Sequence, residues 1–156
     1  MGTENWTLLH VGLSVKNMDD AVNYFTSLGG KTDDSPGHVL DSENIAGLKT
    51  YGKEDAPPWK IKIKMLSLGP LTLELTEPVE GDNFNKTYMD EHGEGANHIA
   101  YIVDDLDKEV AELEAKGVPV MYHASGIYAY VDTRQVGGVV IELMQKRDMP
   151  PRPPAG

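Results

Sequence analysis

Apolar and polar residues alternate with a period of two in four stretches of the chain, and each stretch carries one residue that interrupts the pattern. In "LLHVGLSV", Leu9, Val11, Leu13 and Val15 share one face of a strand, and Leu8, His10, Gly12 and Ser14 share the other. "NHIAYIV" sets Ile99, Tyr101 and Val103 against His98, Ala100 and Ile102. "LTLELTE" sets Leu71, Leu73 and Leu75 against Thr72, Glu74 and Thr76, and "VVIELMQ" sets Val139, Ile141 and Leu143 against Val140, Glu142 and Met144. Each strand therefore offers a bulky apolar face suited to packing under a helix. Its other face holds one potential ligand: His10, Glu74, His98 or Glu142. An ionised carboxylate inside a run such as "GGVVIELMQ" needs a proton, a cation or a metal beside it.

The strands belong to a repeat. "HVGLSVKNMDDAVNYFTSLGG" from His10 matches "HIAYIVDDLDKEVAELEAKGV" from His98, pairing Met18 with Leu106, Asp19 with Asp107, Val22 with Val110 and Gly29 with Gly117. Both read as a strand, an Asn/Asp-containing helix start, an amphipathic helix of about three turns and a glycine stop. The order β-α-β-β-β is expected twice. Module one spans about 6–78, a polar linker 79–96, module two about 97–146, and a Pro-rich tail 147–156 is expected to be extended or disordered. Residues 31–58, with Gly, Asp, Ser and Pro at intervals, carry the least pattern. The fold class expected is α+β: two βαβββ modules whose curved mixed sheets surround a cup, with helices outside.

Two imidazoles and two carboxylates converging in that cup suit a divalent metal. Alone, a histidine at a strand start is usually capped or half-buried, and a glutamate in a strand usually snorkels or pairs. The same pair repeated in matching strands points to a metal. The chain has no cysteine, so the ligands are His and carboxylate, compatible with Zn, Co, Ni, Mn or Fe(II). Four protein ligands on a six-coordinate ion leave two positions for a substrate that chelates through two oxygens. Absence of cysteine also fits a reducing cytoplasm. "MGTENWTLLH" lacks a basic stretch before an apolar one, so no signal peptide is expected, and no run of about 18 apolar residues suggests a membrane span. A formal charge of −11 disfavours nucleic acid or anionic membrane as partner.

On these residues the chain resembles the vicinal oxygen chelate superfamily, from about Leu8 to Lys146. That family includes glyoxalase I, methylmalonyl-CoA epimerase, extradiol dioxygenases and the fosfomycin and bleomycin resistance proteins. The resemblance implies paired βαβββ modules with ligands on the first and last strand of each, at His10, Glu74, His98 and Glu142. "GEGANHIAYIVDDLDKEVAELEAKGV" and "GGVVIEL" are most similar to methylmalonyl-CoA epimerase. The implied function is that of a metal-dependent isomerase, epimerase or lyase acting through an enolate or enediolate, on a small molecule with vicinal oxygens or an acyl-CoA. The implied metal is Co, Ni, Zn or Mn, with Glu142 or Glu74 moving the proton. Epimerases of this kind also carry a glutamate shortly before the third strand of module one, where "KEDAPPWKIKIKM" offers Pro57, Pro58 and Trp59. Glu54 and Asp55 lie out of register there, and Glu43 is farther away.

Two alternatives stay open. An extradiol-type dioxygenase would use Fe(II) on two histidines and one carboxylate, for which Glu74 is one ligand too many. A resistance-type binding protein would need no complete ligand set. A homodimer is expected of curved sheets of this kind. Among weaker features, Tyr128 and Tyr130 share a strand face with Asp132 and are candidates to line the cup. Arg134, in a turn, is a candidate for a substrate carboxylate. Lys60, Lys62 and Lys64 alternate with Ile61 and Ile63 as a solvated strand face; with Lys49 and Lys53 they are candidates for acyl-CoA phosphates. His38 and His92 are expected exposed in polar loops.

Overall fold

Two helices begin and end alike. Helix α1 (Met18–Ser27) is capped by the Asn17 side chain, which accepts from the Asp20 N–H, and α3 (Leu106–Ala115) by Asp105, which accepts from the Lys108 N–H. Both stop at a glycine with positive φ, Gly29 at 96° and Gly117 at 82°. The strand that closes each module also holds the start of that module's helix. In β5 (Leu71–Glu80), Glu77 accepts from the Met18 N–H at 2.7 Å; in β9 (Val140–Gln145), Gln145 accepts from the Leu106 N–H at 2.9 Å. The residue three places after each strand glutamate thus ties that glutamate's strand to the helix.

The computed structural model describes residues 2–147, so the Pro-rich tail expected over 147–156 falls outside the described residues except for Arg147. Strand β1 (Thr7–Ser14) runs parallel to β5, which pairs with β4 (Lys60–Leu68), which in turn pairs with β2 (His38–Asp41). Strand β6 (Gly95–Val103) repeats the pattern with β9, β8 (Tyr128–Val131) and β7 (Val120–Ala124). Antiparallel pairing of β1 with β6 fuses the halves. Among the described residues nine strands make one curved, mixed sheet, closed at its far edge by the two-residue β3 (Lys49–Thr50) of the first half bonded to β7 of the second. The α+β class holds; the two sheets expected are one. No helix among the described residues is long and apolar enough to cross a membrane.

Alternation decides what each face does. Val11, Leu13, Leu73 and Leu75 pack with Met18, Val22 and Phe25 of α1, while Tyr101, Ile141 and Leu143 pack with Leu106, Val110 and Leu113 of α3. The concave face holds Trp59, Ile61, Ile63, Tyr122, Tyr128 and Tyr130. The stretch read as a polar linker contributes a helix there: α2 (Phe84–His92), preceded by a short polar turn, buries Phe84 against these residues.

The "KIKIK" pattern departs from expectation at Lys64. Ile61 and Ile63 face inward, but Lys64 is 5% exposed and donates to the Asp33 carbonyl and carboxylate, and to the Ser35 carbonyl and hydroxyl. A buried ammonium is tolerated because these acceptors replace its water. Hydrogen bonds from Lys64 and Ser35 hold the Asp33 carboxyl down to about 2, from an ordinary 3.8. Its folded value being depressed, the stabilisation is fully present above pH 3.8 and is lost as pH falls towards 2. The urea midpoint of the native chain should exceed that of Asp33→Asn by a constant amount above pH 3.8, with the gap closing between that value and 2. A gap independent of pH across this window would remove Asp33 from the account.

Candidate metal centre

The register of the fused sheet builds the site in two rows. In one, Glu74 of β5 lies beside Gly12 of β1, and Gly12 beside His98 of β6. In the other, His10 of β1 lies beside Ala100 of β6, and Ala100 beside Glu142 of β9. A small residue separates histidine from glutamate in each row. Its smallness is required: a Cβ added at Gly12 would fall 1.7 Å from Cε1 of His98. Sequence alternation put Gly12 and Ala100 on this face without showing what they make room for.

The four side chains meet. His10 Nε2 is 3.0 Å from Glu142 Oε2, 3.5 Å from Glu74 Oε2 and 3.3 Å from His98 Nε2. His98 Nε2 is 3.4 Å from Glu142 Oε2 and 3.6 Å from Glu74 Oε1. One donor atom from each residue lies within 4.8 Å of all the others. Metal–ligand bonds of about 2.0–2.2 Å set donors roughly 2.8–3.6 Å apart in octahedral or tetrahedral geometry, so the observed spacing fits one divalent ion. Two imidazole lone pairs facing each other also need positive charge between them. Burial disfavours a charged His98, but hydrogen bonds to Glu142 and Glu74 outweigh it and raise the imidazole to about 9. Burial likewise opposes an ionised Glu142, and His10 and His98 outweigh it, holding the carboxyl down to about 2.

Behind His98 lies a buried polar chain. His98 Nδ1–H donates to Asn97 Oδ1 at 2.7 Å, Asn97 Nδ2 donates to Ser14 Oγ at 2.5 Å, and Ser14 Oγ donates to Asn85 Oδ1 of α2 at 3.0 Å. This order of donors leaves the Nε2 lone pair of His98 aimed at the cluster.

The family model of the glyoxalase/bleomycin resistance protein/dioxygenase superfamily matches residues 9–137. The chain belongs to this superfamily. The match contains His10, Glu74 and His98 and ends before Glu142, which the pairing of β9 with β6 brings to the same point. The chain is 24% identical over 144 residues to the uncharacterized protein YqjC of Bacillus subtilis (strain 168), covering 88% of this chain and 91% of that one. A hypothetical protein from Bacillus halodurans C-125 superposes with a TM-score of 0.68 at 22% identity, covering 96% of this chain and all of the other. Methylmalonyl-CoA epimerase from Mycobacterium tuberculosis superposes at 0.66 with 22% identity, covering 94% and 93%. At this identity the structural likenesses establish the fold.

The superfamily's cup is here a cavity of about 390 Å³, with Glu74 and Glu142 in its lining among Leu40, Ile61, Ile63 and Met144. Tyr128 and Tyr130 line it, and the Tyr130 hydroxyl is 3.4 Å from His98 Nε2. Burial, then the two carboxylates, push both phenols upward. Two other candidates lie elsewhere. Arg134 is bidentate on Asp132 at 2.8 and 2.7 Å and sits over the Phe84 ring, beside an outer groove with Tyr88 and Glu91. Lys60 points away from the cavity, paired with Glu80 at 3.2 Å and Asp41 at 3.6 Å. His38 is exposed as expected, yet it lies on β2 rather than in a loop, and it lines the cavity. Asn83, Asn85 and Asn97 were missed by sequence reasoning; the position of Asn97 next to His98 was the one available signal.

Gly12→Ala should shift the His98 ring and cost about 1–3 kcal/mol in urea unfolding, the usual range for overpacking. Unchanged stability together with unmoved His98 ring resonances in NMR would contradict the role assigned to this glycine.

Proposed function

We propose that this chain is a metal-dependent isomerase or lyase working through an enolate or enediolate. The observation that carries the reading is the convergence of two imidazoles and two carboxylates, at metal-ligand spacing, on a largely apolar cavity. His10, Glu74, His98 and Glu142 would hold the ion. Bound there, it supplies Lewis-acid stabilisation of negative charge developing on substrate oxygens. The residues do the rest. Asn97 fixes the tautomer of His98, and the apolar walls exclude water from the reacting carbon. Glu74 moves the proton, because its contacts, at 3.5 and 3.6 Å, are looser than those of Glu142, at 3.0 and 3.4 Å.

Several observations favour a single-base reaction on a compact substrate over epimerisation of an acyl-CoA. Epimerisation needs an acid/base group on each face of the carbon. Pro57 and Pro58 stand where the second glutamate would be, and Glu43 and Glu54 line with them a separate groove that adjoins the cavity at Ile45 and Trp59. Three of the five lysines that sequence offered to CoA phosphates pair internally: Lys49 with Glu54, Lys60 with Asp41 and Glu80, Lys64 with Asp33. A methylmalonyl-CoA epimerase bound to methylmalonyl-CoA and NH4+ superposes at a TM-score of 0.66 with 19% identity, covering 93% of this chain and 97% of that one.

The test is elemental analysis of chain purified without chelator. About one Co, Ni, Zn or Mn per chain is expected, absent in His98→Ala and bound roughly 10–100-fold more weakly in Asn97→Ala. Iron would put the dioxygenase first. A chain still empty after reconstitution would favour the binding protein.

For the base, Glu74→Gln saturated with metal should lose about 10²–10⁴-fold in substrate α-proton exchange in deuterium oxide. Glu142→Gln should mainly release metal. The reverse pattern would transfer the proton to Glu142.

A further inference from the structure

Two polar groups on the cavity wall have no partner among the described residues. Asn83 is 5% exposed; its Oδ1 accepts the Lys86 N–H at 3.1 Å as the cap of α2, and its Nδ2 donates to nothing. Tyr128 is 9% exposed and its hydroxyl is likewise unpartnered. Both line the cavity that Glu74 and Glu142 border. Buried donors left unpaired are costly to folding and are retained where something supplies the acceptor.

Their neighbours show what kind of molecule that is. Tyr122, between them in the aromatic wall, already receives the Phe84 N–H at 2.9 Å and packs its ring 5.6 Å from that of Tyr130. Tyr130 in turn lies 5.9 Å from Tyr128, ring to ring. Asn83 caps a nine-residue helix, so the positive end of the α2 dipole adds to the preference for an electron-rich atom. Among the described residues the cavity lining holds no lysine and one arginine, Arg147.

We propose that the substrate has an apolar, ring-sized or branched body, and that, besides the two oxygens at the four-donor cluster, it carries a carbonyl-type oxygen received by Asn83 Nδ2 and the Tyr128 hydroxyl. This deepens the metal-enzyme reading and rests on it for the position of the vicinal oxygens. The two residues are binding groups that orient the substrate and take no part in proton transfer.

Hydroxamates, which chelate metals through vicinal oxygens, supply the probes. Acetohydroxamate has no body, benzohydroxamate has an apolar one, and the 3- and 4-acetyl benzohydroxamates add the carbonyl. Binding to the Co(II)-loaded chain is followed by the cobalt spectrum. Binding to loaded and metal-free chain is followed by fluorescence of Trp59, which lies in the cavity wall, in a Trp6→Phe background that leaves it the only tryptophan. Tyr128→Phe removes only the hydroxyl, and Asn83→Asp keeps the helix cap while replacing the donor. At least one acetyl probe should bind roughly 3- to 10-fold tighter than benzohydroxamate, the usual worth of one hydrogen bond. That advantage should disappear in both variants while benzohydroxamate itself binds unchanged. Tyr128→Phe should unfold at no lower urea concentration than the native chain, since its hydroxyl has no partner to lose.

No acetyl advantage in the native chain, an advantage that survives both variants, or a Tyr128→Phe that unfolds more easily would each overturn the proposal. If acetohydroxamate left the cobalt spectrum unchanged while the acetyl advantage persisted without metal and vanished in the variants, the metal reading would fall and this one would stand.

Discussion

Parallel pairing of β1 with β5, and of β6 with β9, places strand glutamates close to strand histidines, but only the antiparallel pairing of β1 with β6 brings both pairs to one point. That ladder crosses the repeat, so it converts two copies of one pattern into a four-donor cluster. It also fixes the spacing. His10 faces Ala100 and His98 faces Gly12, so each imidazole leans over the smallest available neighbour towards the other. A slip of one residue would turn one histidine into the helix-packed layer and leave a carboxylate without a cation. Packing elsewhere serves this register. Glu77 and Gln145 fasten the closing strands to the helix starts, and the leucine- and valine-rich faces under α1 and α3 resist any slide.

The polar content of the concave face is expensive, and the protein limits it in two ways. Groups behind His98 satisfy one another in an ordered series, Asn97 to Ser14 to Asn85, so that burial costs little and the imidazole is held still. Groups facing the cavity are left incomplete. In the cluster, His10 and His98 hold the Glu142 carboxyl down against its burial, and Asn83 and Tyr128 have donors without acceptors among the described residues. A wall that spends stability in this way on one side of a cavity, and not behind it, is built to receive polar atoms at defined places.

Much of this was legible in the residues because it followed period and repetition. The four donors stood out as the exceptions in four alternating strands, and the matched caps and glycine stops located both helices. What escaped depended on partners remote in sequence. Lys64 shares its strand with solvent-facing lysines, and nothing local shows that the chain at Asp33 and Ser35 folds over its ammonium. Arg134 and Lys60 looked available because their carboxylate partners are set by a turn and by strand pairing. Helix α2 lacks a strong apolar stripe, so its contribution of Asn83 and Asn85 to the cavity could not be read from a stretch that looks like a linker. The fusion into one sheet, sealed by β3 on β7, rests on contacts between halves that alternation within a strand does not report.

The two halves contribute alike to the donor cluster and unequally to the cavity. Beyond Glu74, the row in module one continues to Met65; beyond Glu142, the row in module two continues to Tyr130 and then Tyr122. Module one thus supplies aliphatic wall from Ile61, Ile63 and Met65, and module two a cluster of tyrosines. A metal would be indifferent to this difference, since each half offers one imidazole and one carboxylate. A substrate is not, because only one orientation sets its polar end against the hydroxyl side and its apolar body against the aliphatic side. Duplication explains the symmetric cluster, and divergence of the walls explains how a nearly two-fold site can hold an asymmetric molecule one way round. The looser of the two carboxylates, Glu74, stands on the aliphatic side, with its side chain 12% exposed against 8% for Glu142.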